Sequence, residues 1–309
     1  MFERKCGVGE LLRFRDWTDP VPPAPREVLS VLPETDEGHP PVLFVPGLGH
    51  GAWAFAEHWL RHTAERGFPA HAMSLRGQGG TGRNDSGQGD TGRNDSGQGG
   101  TGRAGSGGGD NSRGGSGGTP RADLRAYAHD VVQVASTLPR QTVLIGHGAG
   151  ALVVSRALAR YPARAAVLVA PVLDGWAGLG AALRANPAGT LPAVFGGRLR
   201  LSRGQLFSPD LPAERADAYR ARLRAPGAVA QWQLLAHRRA PAAVGRPATL
   251  VVGSPDDRVV PRSSLDRTAG RYGSAPLLFP GMGHDLMLDV GWQDPIDAIL
   301  DWLVKELAG

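Results

Sequence analysis

Short apolar segments alternate with amphipathic segments along the chain, and this alternation constrains the fold more than any other feature. The segments AAVLVAP (165–171) and ATLVVG (248–253) are almost wholly apolar, as expected of strands that are buried on both faces of a parallel sheet. Helical patterns lie between such segments, for example ADLRAYAHDVVQVASTL (122–138), which ends before Pro139. Strands that alternate with crossover helices predict an α/β protein with a doubly wound, mostly parallel sheet.

The remaining predicted elements follow the same alternation. Further strands are predicted at 26–32 (an edge strand), 41–47, 69–75, 142–146 and 275–281, and further helices at 52–67, 151–161 and 295–307. We therefore predict one domain over residues 26–309, preceded by a flexible segment at residues 1–25.

Residues 172–247 interrupt the alternation between two strands. They contain helical patterns at 208–224, with Ser208 as the N-cap and Pro209 at the first helical position, and at 228–238. A helical insertion of this length is expected to form a cap over the carboxyl ends of the strands, where ligands bind in such sheets.

A decapeptide repeat occupies residues 77–118. It reads GQGGTGRNDS, GQGDTGRNDS and GQGGTGRAGS, followed by the degenerate GGGDNSRGGS. The repeat has no large apolar residue, so nothing in it offsets the entropy of ordering the chain. We expect it to be disordered and dispensable for folding. It lacks aromatic residues, and its four arginines are balanced by four aspartates, which argues against nucleic-acid binding.

The composition of the chain favours a cytoplasmic protein. Cys6 is the only cysteine, which excludes an intrachain disulfide. The start, MFERKCGVGELLRFRDW, carries charges throughout and lacks the apolar core of a secretory signal. No run of apolar residues is long enough for a membrane span.

The positive charge of the chain is concentrated in the predicted cap. The formal net charge is +5, and residues 196–246 contain ten arginines against only Asp210, Glu214 and Asp217. An arginine excess is most often a solvated face, but it also attracts anions. We expect a small-molecule substrate that enters under the cap and is anionic or delivered by an acidic carrier protein.

The stretch LIGHGAGAL (144–152) joins a predicted strand to a predicted helix. Residues 146–150, Gly-His-Gly-Ala-Gly, have the spacing of the Gly-x-Ser-x-Gly turn that presents a nucleophilic serine, but Gly148 occupies the serine position. The flanking glycines still permit a close approach of strand and helix, and Gly148 relieves the backbone strain of such a turn. Without a hydroxyl or thiol at this position, no acyl-enzyme can form there.

Several segments taken together resemble the α/β-hydrolase superfamily, and more narrowly its small cofactor-free esterases and lipases of the acylglycerol-lipase type. They are the glycine turn, VVGSPDDRVVP (251–261), FPGMGHDLMLDVGW (279–292), GLGHGAW (47–53) and SLRGQGGTG (74–82). In this family the nucleophile, the acid and the histidine follow one another in that order along the chain. The resemblance implies an α/β-hydrolase domain without a cofactor or a metal.

The resemblance also implies which residues form the site. Asp257, just past a strand, matches the family acid, with Asp256 as the neighbouring alternative, and His284 in Gly-x-Gly-His matches the family base. In such a pair, the carboxylate holds the imidazole in one tautomer and stabilises the imidazolium. The oxyanion-binding amides implied by the family pattern are those of Leu48 and Ala149.

Three interpretations of Gly148 remain open. In the first interpretation, the chain is an enzyme in which His284 and Asp257 act as a general base on a small carbonyl or ester compound, or on water, without a covalent step. Alternatively, it is a non-catalytic binding protein, a pseudo-hydrolase that keeps the family pocket. The third interpretation is an ordinary serine esterase or lipase whose nucleophile is replaced by glycine. The presence of both His284 and Asp257 favours the first interpretation. His147, within the turn, is expected to pack beneath it.

Overall fold

The computed structural model of the protein describes residues 19–78 and 122–308, apart from residues 174, 196, 225–227 and 236–239. Most of the flexible segment predicted at residues 1–25, and most of the repeat at 77–118, lie outside the described residues.

Seven strands of the described chain form one sheet: β1 (Val28–Val31), β2 (Val42–Val45), β3 (Ala70–Met73), β4 (Val143–His147), β5 (Ala165–Val169), β6 (Ala248–Gly253) and β7 (Leu277–Leu278). Their order in the sheet is β1-β3-β2-β4-β5-β6-β7. β1 pairs with β3 in antiparallel orientation, and the other pairings of this sheet are parallel. This mostly parallel sheet confirms the fold class that the sequence predicts.

The burial of the strands explains their composition. Every residue of β2, β4 and β5 is buried, because these strands lie inside the sheet and are covered on both faces. β1 lies at one end of the described sheet, and its residues are half-buried or exposed. This difference is the one expected between central strands and an edge strand.

Helices pack on both faces of the sheet. The helices of the described chain are α1 (Trp53–Ala56), α2 (Trp59–Glu65), α3 (Leu124–Thr137), α4 (Ala149–Ala157), α5 (Gly175–Ala185), α6 (Pro187–Val194), α7 (Arg203–Leu206), α8 (Ala213–Arg222), α9 (Ala228–Leu235), α10 (Arg262–Gly270) and α11 (Gln293–Ala308). None of them is long and apolar enough to cross a bilayer.

Two apolar cores lie on opposite sides of the sheet. Along β2, Val42 and Phe44 belong to a cluster with residues of α1, α2 and α11. Leu43 and Val45 belong to a second cluster with residues of α3, α4 and α10. Because alternate side chains of a strand point to opposite faces, this division produces the doubly wound arrangement.

The predicted cap contains more helices than its sequence pattern indicates. Between β5 and β6, the described residues form five helices, α5 to α9, where the sequence predicts two. The sequences of α5 and α6, GWAGLGAALRA and PAGTLPAV, are rich in glycine or contain proline, which have low helix propensity. Such sequences give little periodic signal, so packing rather than local preference decides their conformation.

Two details of the predicted helices are wrong. The helix predicted over 52–67 is divided into α1 and α2 at His58, whose backbone has φ −139° and ψ −61° and whose ring stacks on Trp292. Ser208 does not cap a helix, because α8 begins later, after Pro212. The Ser208 hydroxyl instead donates a hydrogen bond of 2.6 Å to Asp289.

The sheet brings three distant residues to one edge. Gly148 directly follows β4, Asp257 comes four residues after the end of β6, and His284 lies in the loop after β7. Parallel strands end at the same edge of a sheet, so these residues meet at the carboxyl ends of the strands, where ligands bind in this class of fold.

Candidate active site

The turn between β4 and α4 holds Gly148 in a strained backbone conformation, with φ +55° and ψ −118°. This region is unfavourable for residues with a side chain. The amide of Gly148 donates to the carbonyl of Val169 at 2.9 Å, and its own carbonyl accepts from the amide of Val172 at 3.0 Å. The end of β5 therefore fixes the turn from both sides.

The two flanking glycines are required for close packing. A β-carbon on Gly146 would lie 2.6 Å from the carbonyl oxygen of Gly150, and one on Gly150 would collide with the carbonyl oxygen of Val45. Any larger residue at either position would push α4 away from the sheet. The turn thus has the geometry expected of one that presents a nucleophile, with glycine in the presenting position.

The structure brings His284 and Asp257 together. Nδ1 of His284 donates to Oδ2 of Asp257 at 2.8 Å, and both side chains are buried. Oδ1 of Asp257 accepts from the amides of Val259 and Val260 at 2.6 and 2.9 Å, which fixes the carboxylate. Asp256 faces elsewhere, because its carboxylate accepts from the amide of Gly281.

The other nitrogen of His284 faces Gly148. A β-carbon placed on Gly148 would lie 3.1 Å from Nε2 of His284 and 3.8 Å from the α-carbon of Gly47. With Nδ1–H directed at Asp257, Nε2 of the neutral ring carries the lone pair. The basic nitrogen therefore adjoins the space that a serine side chain would fill.

The two predicted oxyanion amides lie at the same cavity. Leu48 and Ala149 line it together with His284, and neither amide makes a hydrogen bond to another residue in the described chain. The loop that carries Leu48 is held by the amide of Gly49, which donates to Oε1 of Gln78 at 2.7 Å. Two free amides beside a base are what an oxyanion site requires.

Burial and charge act differently on the two histidines of the site. Burial lowers the pKa of His284. The charge and hydrogen bond of Asp257, with the charge of Asp285, outweigh burial, so the pKa of His284 is raised above its ordinary value. Burial, with the neighbouring His284, lowers the pKa of His147 to about 3. His147 donates from Nε2 to the backbone carbonyl of His284 at 3.1 Å. It is therefore a neutral packing residue beneath the turn.

A cavity of about 110 Å³ is lined by His147 and Ala149 of the turn, by His284 and by residues of the cap. Apart from three histidines and Gln231, its described lining consists of apolar residues and glycines: Gly47, Leu48, Ala149, Val172, Gly175, Gly178, Leu179, Ala182, Ala193, Leu199, Leu201, Leu234 and Val259. No arginine is among these lining residues, so the positive charge of the cap lies outside this part of the cavity.

The cap is bonded directly to the loop that carries His284. Asp289 accepts hydrogen bonds from the amides of Gly283 and Ser208 at 2.7 and 2.8 Å, and the amide of Asp285 donates to the carbonyl of Leu206 at 2.9 Å. Asp289 is fully buried. It is a positioning residue that the sequence does not single out, although two aspartates close behind His284 in HDLMLD were the available signal.

A second histidine–carboxylate pair lies beside the first. Nε2 of His50 donates to Oδ2 of Asp285 at 2.9 Å, and both side chains are buried. His50, His147 and Asp285 are close enough together to hold a metal ion, but the hydrogen bonds of His50 to Asp285 and of His147 to the His284 carbonyl account for their placement. The sequence alone does not predict the pairing of His50 with Asp285.

Comparisons with known proteins agree with the geometry. The family model described as "Alpha/beta hydrolase family" matches residues 42–302, whereas no curated protein matches the chain. Among solved structures, the chain is similar to a monoacylglycerol lipase from Paleococcus ferrophilus (16% identity, TM-score 0.59, covering 92% of this chain and 99% of that one). It is also similar to a thermophilic esterase from Thermogutta terrifontis (19% identity, TM-score 0.56, covering 91% and 93%). Identities this low show a shared fold alone, but the family match spans most of the sequence. The chain belongs to the alpha/beta hydrolase family.

Proposed function

We propose that the protein is an enzyme that acts on a small carbonyl or ester compound, with His284 and Asp257 as a general base and without a covalent step at residue 148. The observation that carries this proposal is the position of Nε2 of His284, 3.1 Å from the point that a β-carbon on Gly148 would occupy. This distance supports a base that acts beside residue 148, where glycine contributes no side chain.

For an ester, the proposed reaction is direct hydrolysis. Water in the space beside Gly148 gives a proton to Nε2 of His284 while its oxygen bonds to the carbonyl carbon, and Asp257 stabilises the resulting imidazolium. The amides of Leu48 and Ala149 stabilise the negative charge on the carbonyl oxygen. The carbon–oxygen bond to the alcohol then breaks, and the alkoxide takes up a proton. One ester and one water become one acid and one alcohol.

The lining of the cavity supports an apolar acyl or alkyl group as the part of the substrate held under the cap. Apolar groups gain roughly 25 cal/mol per Å² of surface removed from water. A charged part of the substrate, or an acidic carrier, would be attracted by the arginines of the cap outside the described lining. Binding that depends on those charges weakens as the salt concentration rises.

Turnover of a panel of short- and medium-chain esters by the natural chain tests this proposal. We expect slow hydrolysis without an initial burst, because no acyl-enzyme forms. His284→Ala should lower the rate by about 100-fold or more, and Asp257→Asn should also lower it, whereas Asp256→Asn serves as the matched control. Turnover that survives His284→Ala would refute the proposal. Tight binding in the cavity without turnover would favour the pseudo-hydrolase.

A further inference from the structure

His50 faces the same cavity as His284 but belongs to a different hydrogen-bonded pair. Its Nε2 is 2.9 Å from Oδ2 of Asp285, and it lines the cavity with Gly47 and His284. The two pairs are joined through the chain, since His284 and Asp285 are consecutive residues whose side chains point to different partners.

The remaining nitrogen of His50 has no partner. Nδ1 is buried and makes no hydrogen bond to any described residue. It lies 3.6 Å from the point that a β-carbon on Gly47 would occupy, and the α-carbon of Gly47 is 3.8 Å from the corresponding point on Gly148. Gly47 is therefore near both the space beside His284 and the free nitrogen of His50, and the unpaired Nδ1 of His147 is also near it, 3.2 Å from the same β-carbon point. A buried polar atom without a partner is unfavourable, and a ligand oxygen can supply one.

The hydrogen bond to Asp285 fixes the orientation of the His50 ring. Burial raises the pKa of Asp285, but the electrostatic interaction and hydrogen bond with His50, together with the nearby His284, outweigh burial and lower that pKa below its ordinary value. Asp285 is therefore an anion that accepts from Nε2–H of His50. In the imidazolium form, Nδ1–H of His50 is a charged donor without an acceptor in the described chain.

When water rather than a serine attacks the ester, a second proton donor can direct the intermediate towards products. After water adds to the ester, the oxygen nearest to the His284 imidazolium is the one that has just been added. If the proton returns to that oxygen, the intermediate breaks down to water and ester, and no product forms. A donor on another side of the tetrahedral carbon favours breakdown towards products.

We propose that His50, held by Asp285, is a second catalytic residue of this cavity, which protonates the leaving oxygen of the substrate. This inference rests on the proposed function. In the step concerned, the carbon–oxygen bond to the alcohol breaks, its electron pair stays on the oxygen, and the proton moves from Nδ1 of His50 to that oxygen. His284 keeps the proton taken from water, and exchange with solvent restores both rings.

Two butyrate esters separate this role from a structural one. p-Nitrophenolate leaves without protonation, whereas ethoxide needs a proton, and the acyl group is the same. His50→Gln keeps an N–H donor for Asp285 and removes the acid. We expect it to slow ethyl butyrate hydrolysis by about 100-fold or more and p-nitrophenyl butyrate hydrolysis by less than about 3-fold. His58→Gln, on a ring stacked against Trp292 outside the cavity lining, is the matched control and should change neither rate.

An equal fall of both rates in the His50→Gln variant, or no fall, would overturn the proposal. A binding measurement keeps the test independent of turnover. Methyl butylphosphonate is inert and resembles the tetrahedral intermediate, including its leaving oxygen. Its affinity, measured by ³¹P NMR, should fall about 10-fold or more in His50→Gln and stay unchanged in His58→Gln. Equal affinity in both variants would overturn the role of His50. Absence of His284-dependent turnover, with the affinity loss present, would reject the proposed function and with it the proton transfer, and would leave His50 as a ligand-binding residue.

Discussion

Nε2 of His284 lies 3.1 Å from the point that a β-carbon on Gly148 would occupy, and Gly148 has a positive φ of +55°. The backbone of the turn is thus already in the conformation that presents a side chain to the base. Residue 148 supplies no hydroxyl, whereas His284, which is paired with Asp257, lines the same cavity as Leu48 and Ala149.

Because the backbone at Gly148 is strained, any side chain at this position should lower the stability of the fold. Gly148→Ala should lower the free energy of unfolding by about 1–2 kcal/mol, because the positive φ is unfavourable for alanine. Gly180, in α5, has no positive φ, and a β-carbon added to it would meet no atom within 4 Å. Gly180→Ala should therefore be neutral or stabilising by up to about 1 kcal/mol. Chemical denaturation measures the free energy of unfolding of each variant. Equal changes in Gly148→Ala and Gly180→Ala would show that the turn is not strained.

The raised pKa of His284 predicts the acid limb of the pH–rate profile. His284 must be neutral to accept a proton, so kcat/KM should fall as the pH drops through its pKa. Burial lowers that pKa, and Asp257 more than offsets burial. Asp257→Asn should therefore move the acid limb to lower pH and reduce the plateau by roughly 10⁴-fold, as in a serine protease triad.

Asp256→Asn is the control for that experiment. The Asp256 carboxylate accepts a hydrogen bond from the amide of Gly281, whereas Nδ1 of His284 donates to Asp257. The profile of this variant should match that of the natural chain. If Asp256→Asn moved the limb and Asp257→Asn did not, the assignment of the acid would be wrong.

The neutral, buried His147 predicts a loss of stability in acid. Its pKa is about 3 in the folded chain and close to 6.5 when unfolded. Below about pH 6.5 the unfolded state therefore binds the proton more readily, and stability falls by up to about 1.4 kcal/mol per pH unit. The raised pKa of His284 has the opposite effect, so the natural chain and His147→Gln must be compared. Denaturation between pH 7 and 5 should show a weaker pH dependence in the variant; identical slopes would contradict this.

Asp289 predicts a coupling between the cap and the base. Asp289→Ala leaves the buried amides of Gly283 and Ser208 without an acceptor, which should cost about 2–5 kcal/mol. Ser208→Ala removes only the hydroxyl bond to Asp289 and should cost about 1 kcal/mol. Both variants should lose activity in the same order as stability. A fully stable Asp289→Ala protein would show that this contact does not hold the loop.

The sequence predicts the strands well because their signal is local. The patterns at 41–47 and 165–171 contain β2 and β5, which are buried throughout, because a strand buried on both faces must be apolar throughout. The segment 248–253 is the strand β6 as predicted, although its first three residues are only half-buried. The cap is predicted less completely, since glycine- and proline-containing segments such as 187–194 fold through packing.

The pairing of His50 with Asp285 shows what local patterns omit. The two residues are 235 positions apart, and neither has a periodic or turn signal that marks it. The pairing of Asp257 with His284 is inferred from family resemblance rather than from spacing, and the structure brings these two residues together. Resemblance therefore indicates the acid and the base, while the contact between His50 and Asp285, which both lie in segments that resemble the family, emerges only from the fold.

Hydrolysis of p-nitrophenyl butyrate by the natural chain, by Gly148→Ser and by Gly148→Ser combined with His284→Ala tests whether the site lacks only a hydroxyl at residue 148. We expect slow, burst-free turnover by the natural chain, a gain of roughly 10³-fold or more with a burst in the serine variant, and loss of that gain in the double variant. A folded Gly148→Ser protein without any gain, or a natural chain as fast as that variant, would refute this description of the site.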